Sequence, residues 1–399
     1  MNVGLSRGWH SQHWRLPTSS PPVFYHCHPH TYLCDMATEF LSTFSQFGGK
    51  PVPSYLLDSI EVRSDLDRVH LSITDASAPN GEIFANTYYP IGGYLQIEML
   101  AAIIESHMRR HHYSVCDITI SLGSRTDTEA SLTISILYSD YVLPRPAEIH
   151  GFLTTCASRR IHRGSMIALT VLMPQAGDTV KFIGVGHSQQ GKHSTVYANI
   201  TSALHYDNGR SMILSVNSII TWALKLPDAV EANIVDIDYF SLEYDGSVRT
   251  FYIMNDSDWM LFGFRNIFNA REFIDVVGYV KNKTLVSRSM AVASGHAMHY
   301  NQSTERTYEV TTAALPIAEA RAFDHLLNSR TTELYTADIA SKILITDHTC
   351  EIDNDDESIA SVKFTFRFTD QRPHLMPDEI QPMLPSGGIF AEQFTFPFA

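Results

Sequence analysis

Cys27, His28, His30 and Cys34 fall within eight residues, CHPHTYLC, and are side chains of the types that ligate zinc. Four ligands converge on one ion without strain when they arrive as spaced Cys-Cys and His-His pairs, and these do not. No metal is expected there. A second candidate is GHSQQGKHS, residues 186 to 194, where Gly186, Gly191 and Lys192 fit a phosphate-binding loop. His193 occupies the position of the hydroxyl that would bind magnesium, and the STVYANI that follows is β-branched, so no helix N-terminus would face a phosphate. The same stretch holds Gly186-His187-Ser188, but Gln190 stands where a nucleophile elbow requires glycine. The segment reads as a loop between two strands.

Three further groups have plainer readings. His107, Arg109, Arg110, His111 and His112 lie at the end of a helical pattern, where cations complement the carbonyl end of the helix dipole. Asp353, Asp355, Asp356 and Glu357 lack the glycine and the distant glutamate of a calcium loop and read as a solvated hairpin tip. His296 and His299 have no acidic or cysteine partner close in sequence, and the Asn-x-Ser/Thr sites at 199, 255, 282 and 301 matter only in a secretory compartment. The residues therefore point to no catalytic group, no cofactor and no metal: the chain is expected not to be an enzyme and to have no small-molecule substrate.

The elements that would carry these side chains are mostly strands. SIEVR and VHLSIT alternate with period two, as do CDITISL and EASLTISILY, while EIFANTYYP is a further strand candidate. Between them, LQIEMLAAIIESHMRRHH repeats its apolar residues every four positions, the pattern of an amphipathic helix. LPRPAEIHG, with two prolines and a glycine, marks a boundary. Beyond it, TVKFIGVG, STVYANI, SMILSVN, NIVDIDYFSLEY and VRTFYIM are regularly spaced short strands, suggesting a sandwich or barrel. Leu315 to Asn328 reads as a second helix, then KILITDHTCEI and SVKFTFRF close the pattern. The expected fold is mainly β with two helices, in tandem sandwich- or barrel-like domains over 36–145, 146–270 and 271–372.

The two ends differ from this body. Residues 1–35 contain five of the 19 histidines, no lysine and a single acid, and read as a disordered upstream extension with the natural start at Met36. Residues 373–399 hold five of the 18 prolines and read as an extended arm. Its Phe390, Phe394, Phe396 and Phe398 would be costly to leave in water, so they are the candidate partner-binding residues.

Twenty-nine Lys and Arg against 43 Asp and Glu give −14, a balance that repels a phosphate backbone and argues against nucleic-acid binding. No apolar run is long enough to span a bilayer, and five scattered cysteines do not form a dense disulfide framework. A soluble protein with free thiols is expected.

DWMLFGFRNIFNAREFIDVVGYV, followed by ERTYEVTTAALP, the late helix, KILITDHTCEIDNDDES and SVKFTFRFTDQR, resembles a pattern in uncharacterised phage and prophage proteins of Bacteroidetes-type bacteria. The likeness covers most of residues 37 to 372. Those proteins are similar to tail or baseplate structural components, with tandem β-domains, a late helix and an acidic hairpin leading into an aromatic strand. The resemblance implies a virion or tail-like particle assembled in the bacterial cytoplasm, with copies of the same chain and other tail proteins as partners. It carries over no catalytic residue. The alternative expectation is a bacterial carbohydrate- or surface-binding β-sandwich, in which Tyr88, Tyr89, Trp222, Tyr239, Phe240 and Trp259 would include sugar-stacking rings.

Overall fold

The computed structural model describes residues 38–370 except 43, 45–46, 76–80, 174–177, 201–210, 256–258, 337–338 and 351–359. The Cys27–Cys34 cluster, the acidic run at 353–357 and the phenylalanines of the C-terminal arm lie outside the described residues.

The chain is mostly β. The first module holds β1 (Glu39–Phe40), β2 (Val52–Pro53), β3 (Ser59–Arg63), β4 (Val69–Asp75), β5 (Glu82–Tyr88), β6 (Tyr94–Glu98), α1 (Leu100–His111), β7 (Val115–Gly123) and β8 (Thr128–Leu137). One sheet runs β2-β8-β7-β4-β5 and a smaller one runs β1-β3-β6. The alternation seen in sequence sets the buried face: Val69, Leu71 and Ile73 point inward beside Ile118, Ile120 and Leu122, while their neighbours face outward. Leu100, Ile104 and Met108 of α1, one helical turn apart, close this core.

The second module contains β9 (Ser158–His162), β10 (Met166–Leu169), β11 (Val180–Ser188), β12 (His193–Ile200), β13 (Met212–Ser215), α2 (Val216–Ala223), α3 (Pro227–Glu231), β14 (Ile234–Tyr244) and β15 (Ser247–Met254). Its main sheet has the order β12-β11-β14-β15-β9, with β10 and β13 paired separately. The two helices here correct the expectation of only two in the chain. SMILSVN begins as β13, but Val216, Ile219, Ile220 and Ala223 all enter the core, and that helical spacing overrides the β propensity of Val and Ile. Pro227 then opens α3 at its first position, where its missing N–H costs nothing.

The third module is a closed barrel of β16 (Trp259–Arg265), β17 (Arg271–Ala293), β18 (His296–Thr312), β19 (Thr332–Thr336), β20 (Ile339–Cys350) and β21 (Val362–Phe368). β16 pairs with both β17 and β19 and so completes the ring. α4 (Ile317–Leu327) plugs it: Ala320, Phe323 and Leu326 pack among Phe262, Tyr308, Phe364 and Phe366.

Buried polar nodes tie the modules together. Glu272 on β17 accepts from the backbone N–H of Thr155 and from Asn266, and Glu319 on α4 pairs with Arg160 on β9 at 2.8 Å. Asn269 donates to the carbonyls of Met108 and Tyr113, joining the barrel to the end of α1.

Candidate functional site

The most exposed regular element is the end of the β17–β18 hairpin. Barrel pairing stops at Val277 on the β17 side and is resumed on the β18 side only at Tyr308. Between these points β17 and β18 pair with each other alone among the described residues. From Lys281 to Ser303 no residue is buried. The thirteen β17 residues from Lys281 to Ala293, at ~3.3 Å each, make an arm of about 40 Å. Ser294 and Gly295, at φ 55° and 81°, form its two-residue turn in the left-handed conformation that matches strand twist. The sequence signal of this turn is the Ser-Gly dipeptide.

The tip, residues 289–300 (SMAVASGHAMHY), contains no Asp, Glu, Lys or Arg. Met290, Val292 and Tyr300 are 68%, 75% and 68% exposed. Below the tip, Lys281, Lys283, Arg288 and Arg306 outnumber Glu305 and Glu309 over the paired stretch 281–309, a net +2 in a chain of −14. Exposed apolar side chains on a two-edged ribbon, above a basic stem, form a surface suited to gripping another polypeptide. His296 and His299 lie at this tip, three residues apart on one strand, where alternation directs them to opposite faces.

The phosphate-loop candidate is a β-hairpin. Gly186 sits inside β11 against the Asp236 carbonyl of β14. The amides of Ser188 and Gly191 are spent on the turn itself, on Lys192 and Ser188 carbonyls at 2.9 Å, and Lys192 is exposed. His187 and His193 both contact Asp238, at 2.6 and 3.1 Å.

The basic end of α1 is held by side chains as well as by the helix dipole. His107 Nε2 lies 2.8 Å from the carboxylate of Asp75, and Arg109 donates to the Tyr138 hydroxyl at 3.2 Å and to Glu105 at 3.5 Å. Burial pushes the Tyr138 hydroxyl up to about 12. Asp75 and Cys116 occupy inward positions of β4 and β7, each 1% exposed, and one donor atom from each of Asp75, His107 and Cys116 lies within 4.8 Å of the others. Sequence reasoning missed this grouping, although Asp75 at the fourth inward position of VHLSITD is its signal.

Of the candidate sugar-stacking rings, Phe240 is fully buried, between Phe182 and Phe251. Trp259 has one face covered by His162, parallel at 4.8 Å, and Trp222 packs edge-on to Phe182. Tyr89 is exposed. A cleft of about 250 Å³ lies between Asp140, Arg265, His325 and Arg330. That is smaller than the pockets that bury drug-sized ligands, roughly 300–1,000 Å³. Within it Arg330 faces Asp140 at 3.5 Å and Arg265 donates to the Asn269 carbonyl.

Comparison with known proteins defines no class beyond this β architecture: no family model and no curated protein matches the chain. Among solved structures, the full extracellular region of plexin A4 is similar over 85% of this chain and 40% of that one, at 8% identity and a TM-score of 0.18. The chain thus spans about two fifths of that molecule, and a likeness this slight carries no argument. No helix among the described residues is long and apolar enough to cross a membrane.

Proposed function

We propose that the chain is a non-enzymatic structural component of a phage or prophage tail- or baseplate-like particle, working through subunit interfaces, with the β17–β18 arm as its principal grip. The arm is the observation that carries this reading. A monomer gains nothing from holding about 40 Å of two-stranded ribbon in water with Met290, Val292 and Tyr300 uncovered. Its charge also opposes that of the body: removing the arm's +2 from −14 leaves −16 elsewhere, so a basic stem would be drawn to an acidic neighbour of the same sequence. Because the arm and its acceptor would be different surfaces, the contact is heterologous and propagates into a ring or a filament. The particle type comes from the resemblance of residues 37 to 372; the arm supports the assembly role.

Analytical ultracentrifugation and negative-stain electron microscopy of the full chain test the reading. Rings or larger closed assemblies are expected, together with recovery of the chain in purified tail-like particles. A chain that stays monomeric at every concentration reached, and is absent from such particles, overturns it.

A further inference from the structure

We propose that Asp75, His107 and Cys116 form a binding site for one divalent metal ion of the zinc class, held by a carboxylate oxygen, an imidazole nitrogen and a thiolate. This inference is independent of the assembly role.

The three ligands come from three elements. β4 brings Asp75 to the inward face of its sheet, where Val69, Leu71 and Ile73 precede it. β7, paired with β4, brings Cys116 to the same face beside Ile118, Ile120 and Leu122. α1 lies across that face and lowers His107 onto Asp75. A carboxylate at an inward position is expensive unless something compensates its charge. His107, at 2.8 Å, compensates it in part, and the Cys116 thiol lies beside the pair. A dication would do so more fully, and the mixed oxygen, nitrogen and sulfur set suits zinc or cobalt better than calcium or magnesium.

The spacing fits. Tetrahedral zinc with bonds of about 2.0–2.3 Å holds its donor atoms roughly 3.3–3.8 Å apart. Here the three atoms lie within 4.8 Å of one another and the closest pair, His107 and Asp75, is at 2.8 Å, so small side-chain adjustments reach that geometry. The His107 side chain, 10% exposed, is the most accessible of the three ligands. His111, whose ring centroid is 4.6 Å from that of His107, lies outside the converging trio, so water would be the fourth ligand. On binding, the Cys116 thiol loses its proton to solvent and the imidazole adopts the tautomer with its proton on Nδ1, so one proton leaves per ion.

The test is cobalt titration of the full chain, stripped with chelator and kept reduced with a phosphine. One equivalent is expected to produce tetrahedral d–d bands and a sulfur-to-cobalt charge-transfer band, displaced by zinc. Cys116→Ser should abolish the charge-transfer band, and His107→Gln should weaken binding and alter the d–d bands. Circular dichroism checks the folding of each variant. The double variant Cys27→Ser/Cys34→Ser should leave the spectrum unchanged. Should the core variant fail to fold, zinc-dependent thermal stabilisation of the wild type that is lost in His107→Gln decides the matter. Wild type without a thiolate band, a band that survives Cys116→Ser, or one removed by the Cys27/Cys34 variant each overturns the proposal.

Discussion

The carboxylate of Asp275 on β17 accepts from both the backbone N–H and the ring Nδ1 of His162 on β9, at 2.6 and 2.9 Å, and so locks the central sheet to the barrel. Its other oxygen takes the Ser165 hydroxyl at 2.5 Å. The serine hydroxyl and the histidine ring share this one carboxylate, and the Ser165 N–H donates to the His162 carbonyl at 3.0 Å, so the trio works as a fastening. Both members of the pair are almost wholly buried, with side chains 2% and 3% exposed.

Asp275→Ala strands His162 and Ser165 without their acceptor. Breaking a buried pair of this kind costs about 3–5 kcal/mol. Urea unfolding should show that loss, whereas Asp238→Ala, at the exposed hairpin histidines, should stay within about 1 kcal/mol of the wild type. Equal effects would contradict the fastening.

At the arm, Met290→Asp combined with Val292→Asp places charge on the tip. Neither residue is packed in the body, so folding stability should change by no more than about 0.5 kcal/mol per site. Assembly measured by light scattering should be lost. Assembly that persists with unchanged mass would remove the arm from the interface.

Gly186→Ala puts a Cβ against the Asp236 carbonyl and within 2.6 Å of the Ile234 side chain. The strand cannot retreat without breaking its ladder, so overpacking of about 1–3 kcal/mol is expected in thermal melts. Lys192→Ala, four residues past the strand on the exposed turn, should be silent in the same melts and in nucleotide titration.

His325 on α4 is held below the ordinary histidine value by burial, with Glu272 and Asp324 pulling the other way. The unfolded chain therefore takes up a proton near pH ~6.5 that the folded chain refuses. The stability associated with a neutral His325 is complete above that pH and is lost as pH falls toward the folded value. Chemical denaturation from pH 7.5 to 5 should show a shallower acid decline for His325→Leu than for the wild type. Parallel curves would contradict the assignment.

Much of the fold is legible in short runs. SVKFTFRF buries Val362, Phe364 and Phe366 as its alternation requires, and Leu315 to Asn328 contains α4 with Ala320, Phe323 and Leu327 inside. The failures are equally local in origin. SMILSVNSIITWA carries β-branched residues in a helix, since Val216, Ile219, Ile220 and Ala223 have a core to fill, and propensity is a weak signal beside burial. The arm escaped notice because strand alternation reads alike whether a ribbon ends at the barrel or continues into water.

What the sequence determined by itself is the periodicity of each segment, and hence which side chains share a face, because that depends only on backbone geometry and near neighbours. Tertiary structure alone decided which faces meet. Asp75, His107 and Cys116 converge because β4 pairs with β7 under α1, and Asp275 reaches His162, 113 residues away, because the barrel packs on the central sheet. Such encounters are set by long-range burial of apolar faces, a free energy summed over the whole core that no local spacing encodes.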